Sequence, residues 1–259
     1  SVLLLPNAFI ELPNVLKAAE RLFILEDKTL STNNVSTTDI ELLNKHWALS
    51  LNNVSYHYGQ KQALNNVSFE LPAKHKVAIV GRSGSGKTTL VNLLSSLWPL
   101  QQGTINLQSD KEIISLHDLN NESRAKTLNI LAQQHHIFDG TLSENLAYAA
   151  PDATSQQMIA ALTKAELGGW FSELKQGLKT RLGTGGRNVS QGQSRRIALA
   201  QALLQKPAIL VLDEPTEGLD NISKQAVMNS VLQLKEHASV LTITHDPALL
   251  SQMDSVIWL

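Results

Sequence analysis

The residues best suited to chemistry are Gly81-Arg82-Ser83-Gly84-Ser85-Gly86-Lys87-Thr88, which fit the phosphate-loop pattern G-x-x-x-x-G-K-[ST]. Glycines in such a loop let backbone N–H groups turn inward around phosphate oxygens, and the N-terminus of the next helix adds partial positive charge. Lys87 is expected to reach the β- and γ-phosphates and the Thr88 hydroxyl to ligate magnesium, with Thr89 closing the run of candidate nucleotide-binding residues. Asp213-Glu214 is a second element of the same chemistry, an acid pair closing the apolar run Ile209-Leu210-Val211-Leu212. Asp213 is expected to hold magnesium, directly or through water, and Glu214 to orient or deprotonate an attacking water. Two solvated acids at a strand end are the bland alternative, and a phosphate loop in the same chain counts against it.

These residues need strands and helices to position them. The apolar run Lys76–Val80 reads as a buried strand leading into the glycine loop, and Thr89 to Leu97 as the helix leaving it. Further strands are expected at Leu128–Leu131, Ala208–Asp213, Ser239–Thr244 and Ser255–Leu259, with helices over much of 141–176 and from Ser190 to Leu204. Alternating apolar strands and helices imply an α/β fold with a mainly parallel core sheet. Ligands bind such sheets beyond the carboxyl ends of the strands, where Gly81, Gln133, Asp213 and His245 fall. Short strands with Asn and Gly turns between Ala48 and Leu71 suggest a separate antiparallel sheet.

Bulk properties narrow the function classes. The chain has 259 residues, 42% of them hydrophobic, enough for one large domain or two small ones. Its 22 Lys+Arg balance 23 Asp+Glu, so there is no electrostatic footprint for nucleic acid. With no cysteine, disulfides, zinc-thiolate sites and thiol catalysis are excluded. The adjacent pair His135-His136 is poorly spaced for a shared metal. Residues 1–25 have apolar positions at a 3–4 period, and the Ser/Thr/Asn-rich stretch that follows reads as a linker. The first residue is not Met and the opening is apolar, which suggests a piece of a longer protein.

Together the motifs resemble the ATP-binding cassette family. Val189-Ser190-Gln191-Gly192-Gln193 is similar to the L-S-G-G-Q signature, and Asp213-Glu214-Pro215-Thr216-Glu217-Gly218-Leu219-Asp220 to the D-E-P-T-x-x-L-D run that ends in the D-loop. His245 resembles the switch histidine, Gln133 the Q-loop glutamine and Tyr58 the aromatic that stacks on adenine, with Tyr56 the runner-up. The resemblance implies a cassette with a mainly parallel core sheet, an antiparallel β subdomain and a helical subdomain at about 134–205. The cassette itself would span 47–259 and lack its C-terminal end. Residues 1–27 would be the end of a last transmembrane helix and 28–46 a linker.

By the same resemblance the chain is an ATPase acting with ATP and magnesium. Gln133, Glu214 and His245 take catalytic roles, with Gln133 sensing the metal alongside Thr88 and Asp213. Ser190, Gly192 and Gln193 cap ATP bound by a second subunit, and Asp220 communicates across that dimer. The segment Leu182–Arg187 is similar to the x-loop of exporter cassettes. The implied partners are a transmembrane domain and a second half-transporter, at the cytoplasmic face of a bacterial inner membrane. The Gly-Gly-Arg run and the Thr216–Asp220 wording resemble the CydC group of cysteine and glutathione exporters, which implies a CydD-like heterodimer partner. Another lipid or drug exporter, or a non-transport cassette ATPase, is the alternative. One departure from the signature is informative: Gln191 stands where the first glycine is expected.

Overall fold

The computed structural model describes residues 46–109, 112–133, 135–183, 186–233 and 238–259. The expectations for residues 1–45 lie outside these. An antiparallel sheet in the order β2-β1-β4-β5 is built from β1 (Ala48–Tyr58), β2 (Lys61–Leu71), β4 (Gln102–Gln108) and β5 (Ile113–Ser115). A parallel sheet in the order β11-β3-β10-β9-β6 combines β3 (Lys76–Val80), β6 (Leu128–Leu131), β9 (Ile209–Asp213), β10 (Ser239–Ile243) and β11 (Ser255–Trp258). Helix α1 (Lys87–Leu94) follows the glycine loop and α2 (Asn121–Thr127) precedes β6. Between β6 and β9 lie α3 (Leu142–Ala147), α4 (Ser155–Lys164), α5 (Gly168–Ser172) and α6 (Gln191–Gln205), with the short pair β7 (Gly140–Thr141) and β8 (Arg181–Leu182). Helices α7 (Asn221–Gln233) and α8 (Pro247–Leu250) flank β10.

The parallel strands are apolar throughout because both faces are covered. Val77, Ile79, Ile209, Val211, Leu241 and Ile243 point to one core, shared with α1 and the antiparallel sheet. Leu210, Leu212 and Val240 point the other way, into a core with α3 to α7. The period of two along each strand thus divides the interior into two cores on opposite faces of one sheet.

Two local readings change. The short strands expected between Ala48 and Leu71 run on as two 11-residue strands. Asn53 and Asn66, both at φ 52°, sit at irregularities in this pairing, where asparagine tolerates the left-handed region inside a continuous strand. Ser190 is not the first turn of α6 but its cap: its hydroxyl accepts from Gln193 N (3.2 Å), and Gln193 Oε1 accepts from Ser190 N (2.9 Å). Among the described residues no helix is long and apolar enough to cross a membrane.

Candidate functional site

The carboxyl ends of β3, β6, β9 and β10 lie at one edge of the parallel sheet, and the loops leaving them line a cleft of about 490 Å³. The glycine loop forms its floor. Gly84 and Gly86 have φ of 83° and 98°, and a Cβ on Gly86 would stand 2.4 Å from the Ala63 carbonyl oxygen, so only glycine fits that turn. Gly81 is equally tight, with the Ser85 Oγ 2.4 Å from where its Cβ would be. The Lys87 ammonium bridges the loop, donating to the carbonyls of Gly81 (2.5 Å) and Arg82 (3.0 Å). Ser83, Gly84, Gly86, Lys87, Thr88 and Thr89 line the cleft; Gly81, Arg82 and Ser85 shape the loop behind it.

Asp213, Glu214, Gln133 and His245 face the loop across the cleft. Burial pushes the Asp213 carboxyl up from its ordinary range; Lys87 pulls it back and Glu217 adds to the rise. Glu214 is also pushed up, first by burial, against the pull of His245 and with a further push from Glu217 and Asp213. His245 Nε2 stands 3.6 Å from Glu214 Oε1. The backbone at Glu214 is left-handed (φ 46°), fixed by its N–H to the Ile243 carbonyl (2.9 Å) and by Arg195 Nη1 donating to its own carbonyl (3.0 Å). Arg195, 3% exposed, also donates from Nη2 to the Gln133 carbonyl (3.2 Å), so one buried guanidinium ties together the ends of two neighbouring strands.

An aromatic cluster closes the other end. Tyr58 is 44% exposed and its hydroxyl lies 3.1 Å from Thr89 Oγ1, while Tyr56 is 9% exposed and stacks on Trp98 at 5.6 Å. Trp98 meets the Tyr58 ring edge-on at 5.2 Å, leaving Tyr58 rather than Tyr56 with a ring presented to the cleft.

Four of the expected site residues are not brought to this cleft. Ser190 and Gln193 cap α6, Gly192 packs against Ser223 of α7, and Asp220 accepts from Ser223 N and Oγ (2.9 Å each). The Gln191 side chain lies across Gly218, its Oε1 3.4 Å from where a Gly218 Cβ would be. Three residues that sequence reasoning passed over do belong to the site: Lys61 and Glu217, which line it, and Arg195, which braces it. Glu217 lies inside the quoted D-E-P-T-x-x-L-D run at a position where that pattern leaves the residue type open. Arg195 reads as one of two arginines on a helix until its burial is seen.

The sequence profile of the ABC transporter family matches residues 64–217, from β2 through the acidic strand end. This chain belongs to the ABC transporter family. Its cassette fold resembles a bacterial Atm1-family ABC exporter solved with ATP bound, with a TM-score of 0.74 at 29% identity over 83% of this chain and 37% of that one. An ATP-dependent lipid A-core flippase of Haemophilus influenzae is 38% identical over 81% of this chain, and one of Vibrio vulnificus 32% over 98%. A glutathione/L-cysteine transport protein, CydC of Haemophilus influenzae, is 34% identical over 96%. The chain spans 36% to 43% of the length of these three relatives.

Proposed function

We propose that this chain is the ATP-hydrolysing motor of an exporter-type half-transporter and works as one half of a dimer of cassettes. The observation that carries the reading is the single cleft joining the glycine loop, Lys87, Thr88, Asp213, Glu214, Gln133 and His245. The cleft suits a magnesium nucleotide. Its cradle is a turn that only glycine fits at Gly86, where a Cβ would collide with the Ala63 carbonyl oxygen and the Leu64 side chain. Its hard oxygen donors, the Thr88 hydroxyl and the Asp213 carboxylate, suit magnesium. Magnesium, when bound, neutralises phosphate charge.

The chain's own groups do the rest. Lys87 leaves its loop carbonyls for phosphate oxygens, Tyr58 stacks on the base, and Glu214 orients water and accepts its proton. A carboxylate raised by burial is a better base for that step than an ordinary one. His245, beside Glu214, donates toward the terminal phosphate. Ser190 and the N-terminus of α6 do not line this cleft and would be free to cap a partner's nucleotide.

The transport substrate is set by the membrane domain. The similarity to lipid A-core flippases favours a lipid cargo over the thiols implied by the finer motif resemblance. The CydC relative, similar over 96% of the chain, supports thiol export with a CydD-like partner as the second reading. The complete half-transporter would place this cassette at the cytoplasmic face of the inner membrane.

Two substitutions test the motor. Lys87→Ala is expected to abolish productive nucleotide binding. Glu214→Gln should keep binding, slow hydrolysis by roughly two or more orders of magnitude and hold the dimer closed. The checks are nucleotide titration, single-turnover hydrolysis and light scattering. Hydrolysis at the parent rate by Glu214→Gln beside a working partner would show that the base is another residue.

A further inference from the structure

We propose that Glu217 is a specificity residue that makes the cleft select nucleotide complexed with magnesium over free nucleotide. The inference rests on the nucleotide reading of the cleft and goes beyond it. Glu217 lines the same cleft as Asp213 and Glu214, so three carboxylates face one end of it against the cations Lys87 and Lys61 and a histidine. It is electrostatically coupled to its neighbours, since its charge pushes both Asp213 and Glu214 upward. Its position is held from two directions. Glu217 N donates to the Glu214 carbonyl (3.2 Å), and its Oε2 accepts from Gln133 Nε2.

The consequence is a matter of charge. A free nucleoside triphosphate brings about four negative charges to this end of the cleft, and its magnesium complex about half as many. A third carboxylate therefore repels the free form more strongly. The Gln133 amide adds a second effect. Held by a charged acceptor, it is withheld from phosphate oxygens until a cation draws the Glu217 carboxylate away.

The test is equilibrium binding, not turnover. A fluorescent ATP analogue is titrated into the parent chain, Glu217→Gln and Glu217→Ala, once with excess magnesium and once with EDTA. Glu217 is exposed and Glu217→Gln nearly isosteric, and thermal melts confirm folding of each variant. Both substitutions should tighten metal-free binding by about fivefold while changing magnesium-dependent binding less, so the ratio of the two affinities narrows. Raising the salt should shrink the effect of Glu217→Gln, because it is electrostatic. An unchanged ratio in both variants overturns the role of Glu217. A parent chain that binds neither form, folded and at high nucleotide, instead refutes the nucleotide reading on which the inference stands. The two failures are therefore distinguishable.

Discussion

Asp213 shows what a single residue gives up for its place in the cleft. Its carboxyl is half-buried at the end of β9, and burial raises its pKa above the ordinary 3.8. The folded chain therefore binds this proton more tightly than the unfolded chain. The group favours folding in acid, and that contribution is lost as the pH rises through 3.8 and on through the raised folded value. At neutral pH the ionised acid destabilises the fold, a common property of residues kept for function. Asp213→Asn should accordingly raise the melting temperature at pH 7 by roughly 2–4 °C, with the gain vanishing in acid where the parent carboxyl is already protonated. Thermal melts across pH would measure it, and a loss of stability at pH 7, or a gain independent of pH, contradicts the assignment. Glu214 is shifted the same way and shares the cost.

At the scale of the element, strand, glycine loop and helix are held together by close backbone contacts. Gly86 is the left-handed residue that opens α1, and β2 packs directly against it through Ala63 and Leu64. Gly86→Ala forces both a strained φ and a backbone clash, at a cost of about 2–4 kcal/mol. Denaturant unfolding should show that loss together with loss of nucleotide binding. Lys87→Ala, which removes a bridge between loop carbonyls and the pull on Asp213 but forces no backbone clash, should lose binding with a smaller loss of stability; equal unfolding midpoints for the two variants would mean the loop is more adaptable than its contacts imply. The helices beyond β6 are set by a simpler device. Thr141 with Glu144, Thr154 with Gln157 and Ser190 with Gln193 each form a reciprocal capping box, fixing where α3, α4 and α6 begin.

For the whole molecule, the relevant unit is the proposed pair of cassettes. This chain carries a complete set of cleft residues but an altered signature, with Gln191 lying over Gly218 at the turn that leads to Asp220. In the proposed pair, a side chain there would crowd the surface offered to a partner's nucleotide, while Gln191 does not line the chain's own cleft. We expect the two half-sites to be unequal. In a reconstituted heterodimer, Lys87→Ala in this chain should remove most ATP turnover, and replacing the matching lysine of the partner much less. Steady-state ATPase of the two single variants decides it, and equal losses refute the asymmetry.

The phosphate loop, the acid pair and the parallel α/β fold were legible because each is local: glycine spacing, an apolar run of strand length and a terminal acid are fixed by a few neighbouring residues. The capping boxes are equally legible as S/T-x-x-E/Q, while apolar periodicity alone places Ser190 inside the helix it caps. The asparagines between Ala48 and Leu71 read as turns in sequence because a left-handed asparagine, such as Asn53 or Asn66, suits a turn and a bulge alike. Other features had no local signal. The buried bridge from Arg195 to Gln133 and Glu214 and the entry of Glu217 into the cleft depend on groups brought together across 19 to 84 positions of chain. Sequence by itself determined which chemistry this chain carries, because that chemistry is written in residue type and spacing. Only the tertiary structure decided which side chains share the cleft and how their charges bear on one another, because burial and distance exist only after the strands have aligned their ends.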